Sequence, residues 1–231
     1  MNLHFRPYHL FVATVTVGVV AAAWITTVSL AQSNGPSSKG PHPEPWLNTS
    51  EQQAEVNAAH AANNQFLHEF EAQHRDPHSL PTVWIESWAT APVTLNLAAQ
   101  NADLIVHGRV GNVAFAPNPS GGMPLSTAVV RVIGVVKGQP PQSVTVDQMG
   151  GPVAQKPNGA LVQFDKAPLL LPGDEVVLLL RRGATGEPLH EVYGAGAYFV
   201  HSGAITGENA ERYGVSGQSL TQFLHTLAAV G

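Results

Sequence analysis

The chain has 231 residues, 44% of them hydrophobic and only 12% charged, enough for one ordinary domain with appendages. It contains no cysteine, which excludes disulfides, Cys-ligated zinc, iron–sulfur clusters, thiol catalysis and a lipid anchor on an N-terminal cysteine. Its 11 basic and 16 acidic residues give a formal charge of −5 with no basic run, so the footprint that displaces counterions from nucleic acid is missing and no nucleic-acid partner is expected.

In chain order the first feature is "LFVATVTVGVVAAAWITTVSL", Leu10 to Leu30, which carries no charge and follows Arg6. An uncharged run of bilayer-spanning length behind a cation predicts an export segment, with the N-terminus cytoplasmic and the rest extracytoplasmic. Ser29 and Ala31 are small residues at the −3 and −1 positions of a candidate cleavage site. Residues 1–31 are therefore a retained signal anchor, the preferred reading, or a signal peptide cleaved after Ala31. The membrane is the partner expected for residues 10–30, and the localisation is the cell membrane, or secreted if cleavage occurs. Residues 32–48 hold Pro36, Pro41, Pro43 and Pro45 among Ser, Gly and Asn, the composition of an extended tether.

A helix is expected over residues 49–76. Ser50 and Gln53 form a capping box, Pro77 stops the run, and Val56, Ala59, Ala62, Phe66, Leu67 and Phe70 recur at helical spacing. Residues 77–91 form a connector carrying Trp84 and Trp88, with Pro81 and Pro92 on either side. The simpler reading is that it lays its aromatics on the core; the other is an aromatic binding platform. Residues 92–231 begin with a short helix capped by Thr94 and continue as strands separated by turn signals. Pro172-Gly173 suits the centre of a type II turn. A terminal helix follows, with Ser219 or Ser216 as cap and Leu220, Phe223, Leu224 and Leu227 on one stripe.

This order predicts a mainly β fold: a small antiparallel barrel of five or six strands with a C-terminal helix, preceded by the membrane or signal helix and an amphipathic helix. Val129, Ile133 and Val135 share one face of the second barrel strand and Val130, Val132 and Val136 the other, so a covered outer surface is expected. The segments "NADLIVHGRVGNV", "VVRVIGVVKG", "LLLPGDEVVLLL", "YGAGAYFVHSGAIT" and "VSGQSLTQFL" together resemble a group of uncharacterised exported bacterial proteins. Their domain is an OB-like barrel similar to netrin and tissue-inhibitor-of-metalloproteinase modules. The resemblance covers about residues 92–231 and implies fold rather than chemistry. The inhibitors chelate a protease zinc through an N-terminal cysteine, a mode closed to a chain without cysteine.

In "DLIVHGRV", Leu104, Val106 and Val110 face one side and His107 and Arg109 the other. The default for that second face is a wet or partly covered sheet surface; a binding surface formed by Trp84, Trp88, His107 and Arg109 is the functional reading. Eleven histidines invite a metal reading, but no His-Glu-x-x-His occurs and the helical pairs are poorly spaced. The candidate ligands would be His107, His190 and His201, with Asp103 or Asp147 as carboxylate. "GAGAYF" lacks the third glycine and the following helix of a dinucleotide fingerprint. "YGVSGQS" lacks the second glycine of a nucleophile elbow. Asp174 and Glu175 beside a turn read as charge that keeps the loop wet. No catalytic residue is expected, and no cofactor. The function expected is a non-enzymatic binding module for a protein or cell-envelope ligand; the alternative is a secreted metal-dependent hydrolase or metal-binding protein using strand histidines.

Overall fold

The computed structural model describes residues 50–86, 91–92, 94–119, 122–155, 157–182, 189–191 and 194–230. Residues 57–230 belong to one compact unit. Of the unit ending at Val56, residues 50–56 are described, and they are helical. The Leu10–Leu30 run, the tether and Trp88 lie outside the described residues. Among those described, no helix is long and apolar enough to cross a membrane.

The protein is mainly β. Helix α1, Ser50–Ala72, is followed by a 3-10 turn at Pro77–Ser79, strand β1, Thr82–Ile85, and the short helix α2, Leu95–Asn101. Strands β2, Leu104–Ala116, β3, Leu125–Lys137, and β4, Ser143–Met149, form an antiparallel series. Then come β5, Gly151–Val153, β6, Ala160–Phe164, β7, Glu175–Arg182, β8, Leu189–Glu191, β9, Ala197–His201, and β10, Ala204–Thr206. Helices α3, Glu208–Arg212, and α4, Leu220–Ala228, complete the chain.

Five strands close a barrel. β7 pairs with β2, β2 with β3 and β3 with β4; β4 meets β8 through Val146–Leu189, and β8 returns to β7. A closed ring leaves no unpaired strand edge within it. Three register shifts between β2 and β3 supply the coil that closure of so small a ring requires. Gly108, beside one shift, admits no side chain, because a Cβ there would lie 2.7 Å from the Arg131 carbonyl oxygen. A second sheet, β1–β6–β5, pairs β1 parallel to β6.

β7 is buried on both faces, and the core divides along it. Val176, Leu178 and Leu180 point into the barrel with Leu104, Val106, Val130 and Val146. Val177 and Leu179 point outward, where α2 and α4 cover them with Leu95, Ala98, Phe223 and Leu227. Helix α4 starts where the Ser219 hydroxyl accepts from Gln222 N at 3.3 Å, and its Phe223 ring packs on Tyr198 at 4.8 Å between centroids. Helix α2 is capped at Thr94, whose hydroxyl accepts from Leu97 N, and at its far end by Lys137 Nζ donating to Ala99 O and Gln100 O. Leu67 and Phe70 of α1 form a third cluster with Leu80, Phe115 and Leu161.

The outer side of β3 is not covered as its sequence suggested. Val129, Ile133 and Val135 remain 40%, 51% and 51% exposed. The register explains the two outer positions. The β3–β4 ladder ends at Arg131–Ser143, so β3 runs on past its neighbour, and the shift between His107 and Gly108 leaves Ile133 as an extra residue. Phe223→Ala would leave a cavity between α4 and the barrel and is expected to cost about 3–5 kcal/mol, lowering the melting temperature of the full chain by circular dichroism. The half-buried Leu224 should tolerate the same truncation at smaller cost. An unshifted melt for Phe223→Ala would show that α4 is not part of the core.

Candidate functional site

The "HGRV" stretch sits in the middle of β2, and the β2–β7 register brings an acid to it. Arg109 is the cross-strand partner of Glu175, and His107 lies two pairs along on the same face, opposite Val177. The imidazole Nε2–H of His107 donates to Glu175 Oε1 at 2.9 Å, and Arg109 Nη2 donates to Glu175 Oε2 at 2.9 Å. One carboxylate thus holds two neighbouring side chains of another strand. His107 is nearly buried, whereas the Arg109 side chain is half exposed. Gly134 faces His107 across β3 and leaves the ring uncrowded; even a Cβ there would be 3.8 Å from His107 Cβ. On the other side of Arg109, Arg131 is its cross-strand partner, an apposition of like charges that the Glu175 carboxylate offsets. Reading Glu175 as loop charge is therefore corrected: its side chain is spent on β2. The signal was a His-x-Arg alternation on one strand and an acid at the head of another, but only the register connects them.

The candidate metal ligands are dispersed. His190 is exposed on β8 opposite Arg181, and His201 is exposed at the end of β9 opposite Ala204. His107 is engaged by Glu175. Asp103 Oδ2 accepts from Arg182 N, and Asp147 Oδ1 accepts from the Thr127 hydroxyl at 2.8 Å. Among the described residues no three His, Asp or Glu side chains gather as a metal site would require.

Trp84 lies on β1, in the smaller sheet, 52% exposed, with Val83 beside it at 37%. Sequence reading had its simpler alternative lay this segment on the core. Parallel pairing with β6 instead makes it an edge strand among the described residues, with Trp84 at the rim. His107 and Arg109 share a face with Glu175, while Trp84 is on the other sheet.

A shallow cleft of about 190 Å³ lies between α1 and the β2–β3 connection, lined by residues including His60, Asn63, Asn64 and Pro119. Its polar groups hold the chain together: His60 Nε2 accepts from Gly122 N, and Asn63 Oδ1 from Ala154 N.

The other polar cluster is inside the barrel closure and has no sequence signature. Gln148 of β4 donates through Nε2 to Glu191 Oε1 of β8 at 2.8 Å and to Pro168 O at 2.9 Å, and its Oε1 accepts from Leu170 N. Glu191 Oε2 is buried with no partner among the described residues. Gly196 makes room for this side chain, since a Cβ there would collide with Glu191 Cβ. Burial raises the Glu191 carboxyl from its ordinary 4.5 to about 8, so it carries its proton at neutral pH.

No model of a known protein family matches the chain, and no curated protein matches it.

Two expectations follow from these clusters. The folded chain keeps the Glu191 proton that the unfolded chain releases above 4.5, so Glu191 makes stability fall as pH rises from about 4.5 to about 8. Glu191→Gln should flatten that slope and gain most over wild type above pH 8 in denaturant titrations; an unchanged slope would contradict the burial of a protonated carboxyl. Glu175→Gln leaves Arg109 facing Arg131 without a counter-ion and is expected to cost about 1 kcal/mol at low salt. The difference should shrink at high salt, as screening demands, and a salt-independent loss would show that the charge bridge is not its cause.

Proposed function

We propose that the chain is an extracytoplasmic protein, anchored in the membrane through Leu10–Leu30, whose β domain is a non-enzymatic binding module for a protein or cell-envelope ligand. The observation that carries this reading is the set of large apolar side chains presented on strands. Trp84, Ile133 and Val135 each keep about half of their surface in water, and Met149 nearly as much. Apolar surface at several strand positions is costly to leave wet and marks interaction sites more often than isolated exposed residues do. The polar groups around them hold the fold: Glu175 clasps β2, and Gln148 ties β4 to β8. The uncharged run behind Arg6 supports the placement outside the cytoplasm. If the segment is cleaved after Ala31, the same module is secreted.

The test is photo-cross-linking of the full chain in its own cells. A photoreactive residue replacing Ile133, Met149 or Trp84 should yield discrete adducts with an envelope component. The same residue at His225, exposed on helix α4, should not. No adduct at any of the three strand positions, or an identical pattern from His225, would overturn the reading.

A further inference from the structure

We propose that the outer edge of β1 docks an extended peptide segment of a partner as an added strand, with Trp84 as the apolar anchor and basic residues favoured toward the Glu86 end. This rests on the binding-module reading and names the mode and chemistry of the partner.

The backbone determines which groups are offered. Pro81 O accepts from Leu161 N at 2.9 Å and Ile85 O accepts from Asp165 N at 3.1 Å. In a parallel ladder the residues of a strand alternate between its two edges, so 81, 83 and 85 are turned to β6 and Thr82, Trp84 and Glu86 turn their N–H and C=O groups the other way. Among the described residues no strand pairs with that second edge. Natural sheets usually blunt such an edge with a bulge, an inserted charge or a proline. Here the β1–β6 register runs without a shift from Thr82 to Ile85, Pro81 precedes the strand, and its exposed residues are the uncharged Thr82, Val83 and Trp84. An open row of backbone groups beside a half-exposed tryptophan is the arrangement that strand addition uses: main-chain bonds supply affinity and a large side chain supplies the anchor.

Charge and size select the occupant. At the C-terminal end of β1, Glu86 follows the residue whose carbonyl binds Asp165 N. Burial raises the Glu208 carboxyl, and the nearby Asp165 and Glu211 add to it against the pull of Arg212. Four acids, Glu86, Asp165, Glu208 and Glu211, thus outweigh Lys166 and Arg212 at this end, which complements a basic peptide. The five residues of the edge span about 17 Å at strand rise, room for a short linear segment. A stable dimer of folded copies buries about 1,200 Å² or more, which so short an edge does not provide alone.

The test uses the full chain in detergent micelles and the peptide Lys-Val-Thr-Val-Thr-Val-Lys, followed by backbone amide shifts. The expected result is saturable binding that perturbs the Thr82, Trp84 and Glu86 amides most. Of two peptides N-methylated on alternate residues, only the one that keeps the β1-facing amides free should bind. Trp84→Thr, which retains strand propensity, should weaken binding about tenfold. Equal binding of both methylated peptides, or no perturbation of the three amides at millimolar peptide, overturns the proposal. So does a concentration-dependent dimer in sedimentation equilibrium that Trp84→Thr abolishes, since the edge would then belong to a second copy. Cross-links at Ile133 or Met149 that persist alongside any of these results would leave the binding-module reading intact while removing this one.

Discussion

The rest of the structure depends on β7 burying both faces. Val176 to Leu180 are five consecutive buried residues, and a strand that apolar needs one layer inside and another outside. Closing the ring of strands supplies the inner layer. The outer layer comes from α2 and α4, which bracket the barrel in sequence and meet over Val177 and Leu179. Both edges of β7 are also taken, one by β2 and the other by β9 and β8 in succession. The burial of Glu191 follows from the same arrangement, because β8 completes the ring and its carboxyl is turned onto Gln148 of β4.

Much of this was legible in the sequence because it depends on local pattern. The Pro172-Gly173 turn ahead of β7 is one such pattern. The turn forms as read: Asp174 N donates to Leu171 O and Gly173 takes φ +93. Thr94 and Ser219 cap the helices that their positions suggested. The closed five-strand barrel and the C-terminal helix follow from strand count and turn spacing. What stayed illegible depends on register. Glu175 is 68 residues from His107, and no local rule pairs them. The Gln148–Glu191 contact joins residues 43 apart across the ring closure. Trp84 gave a composition signal that fits equally a buried aromatic and an exposed one; the parallel pairing with β6 decides between them.

Polar chemistry in this chain is scarce, and structure consumes much of it. Within the barrel Glu175, Gln148, Asp103, Asp147 and Lys137 each satisfy a neighbouring strand, loop or helix end. Closure of the ring further removes the backbone edges that a larger open sheet would expose. Among the described residues, exposed apolar side chains on strands and the backbone edge of the smaller sheet are features that this structure does not consume.

Native-state hydrogen exchange on the full chain tests this account most directly. The account predicts that the amides of Val176 to Leu180 exchange only through global unfolding, and that β1 alternates: Val83 and Ile85 protected, Thr82, Trp84 and Glu86 exchanging freely. Early exchange within β7, or uniform protection along β1, would contradict it, the first by denying the doubly covered strand and the second by showing that the edge is already paired.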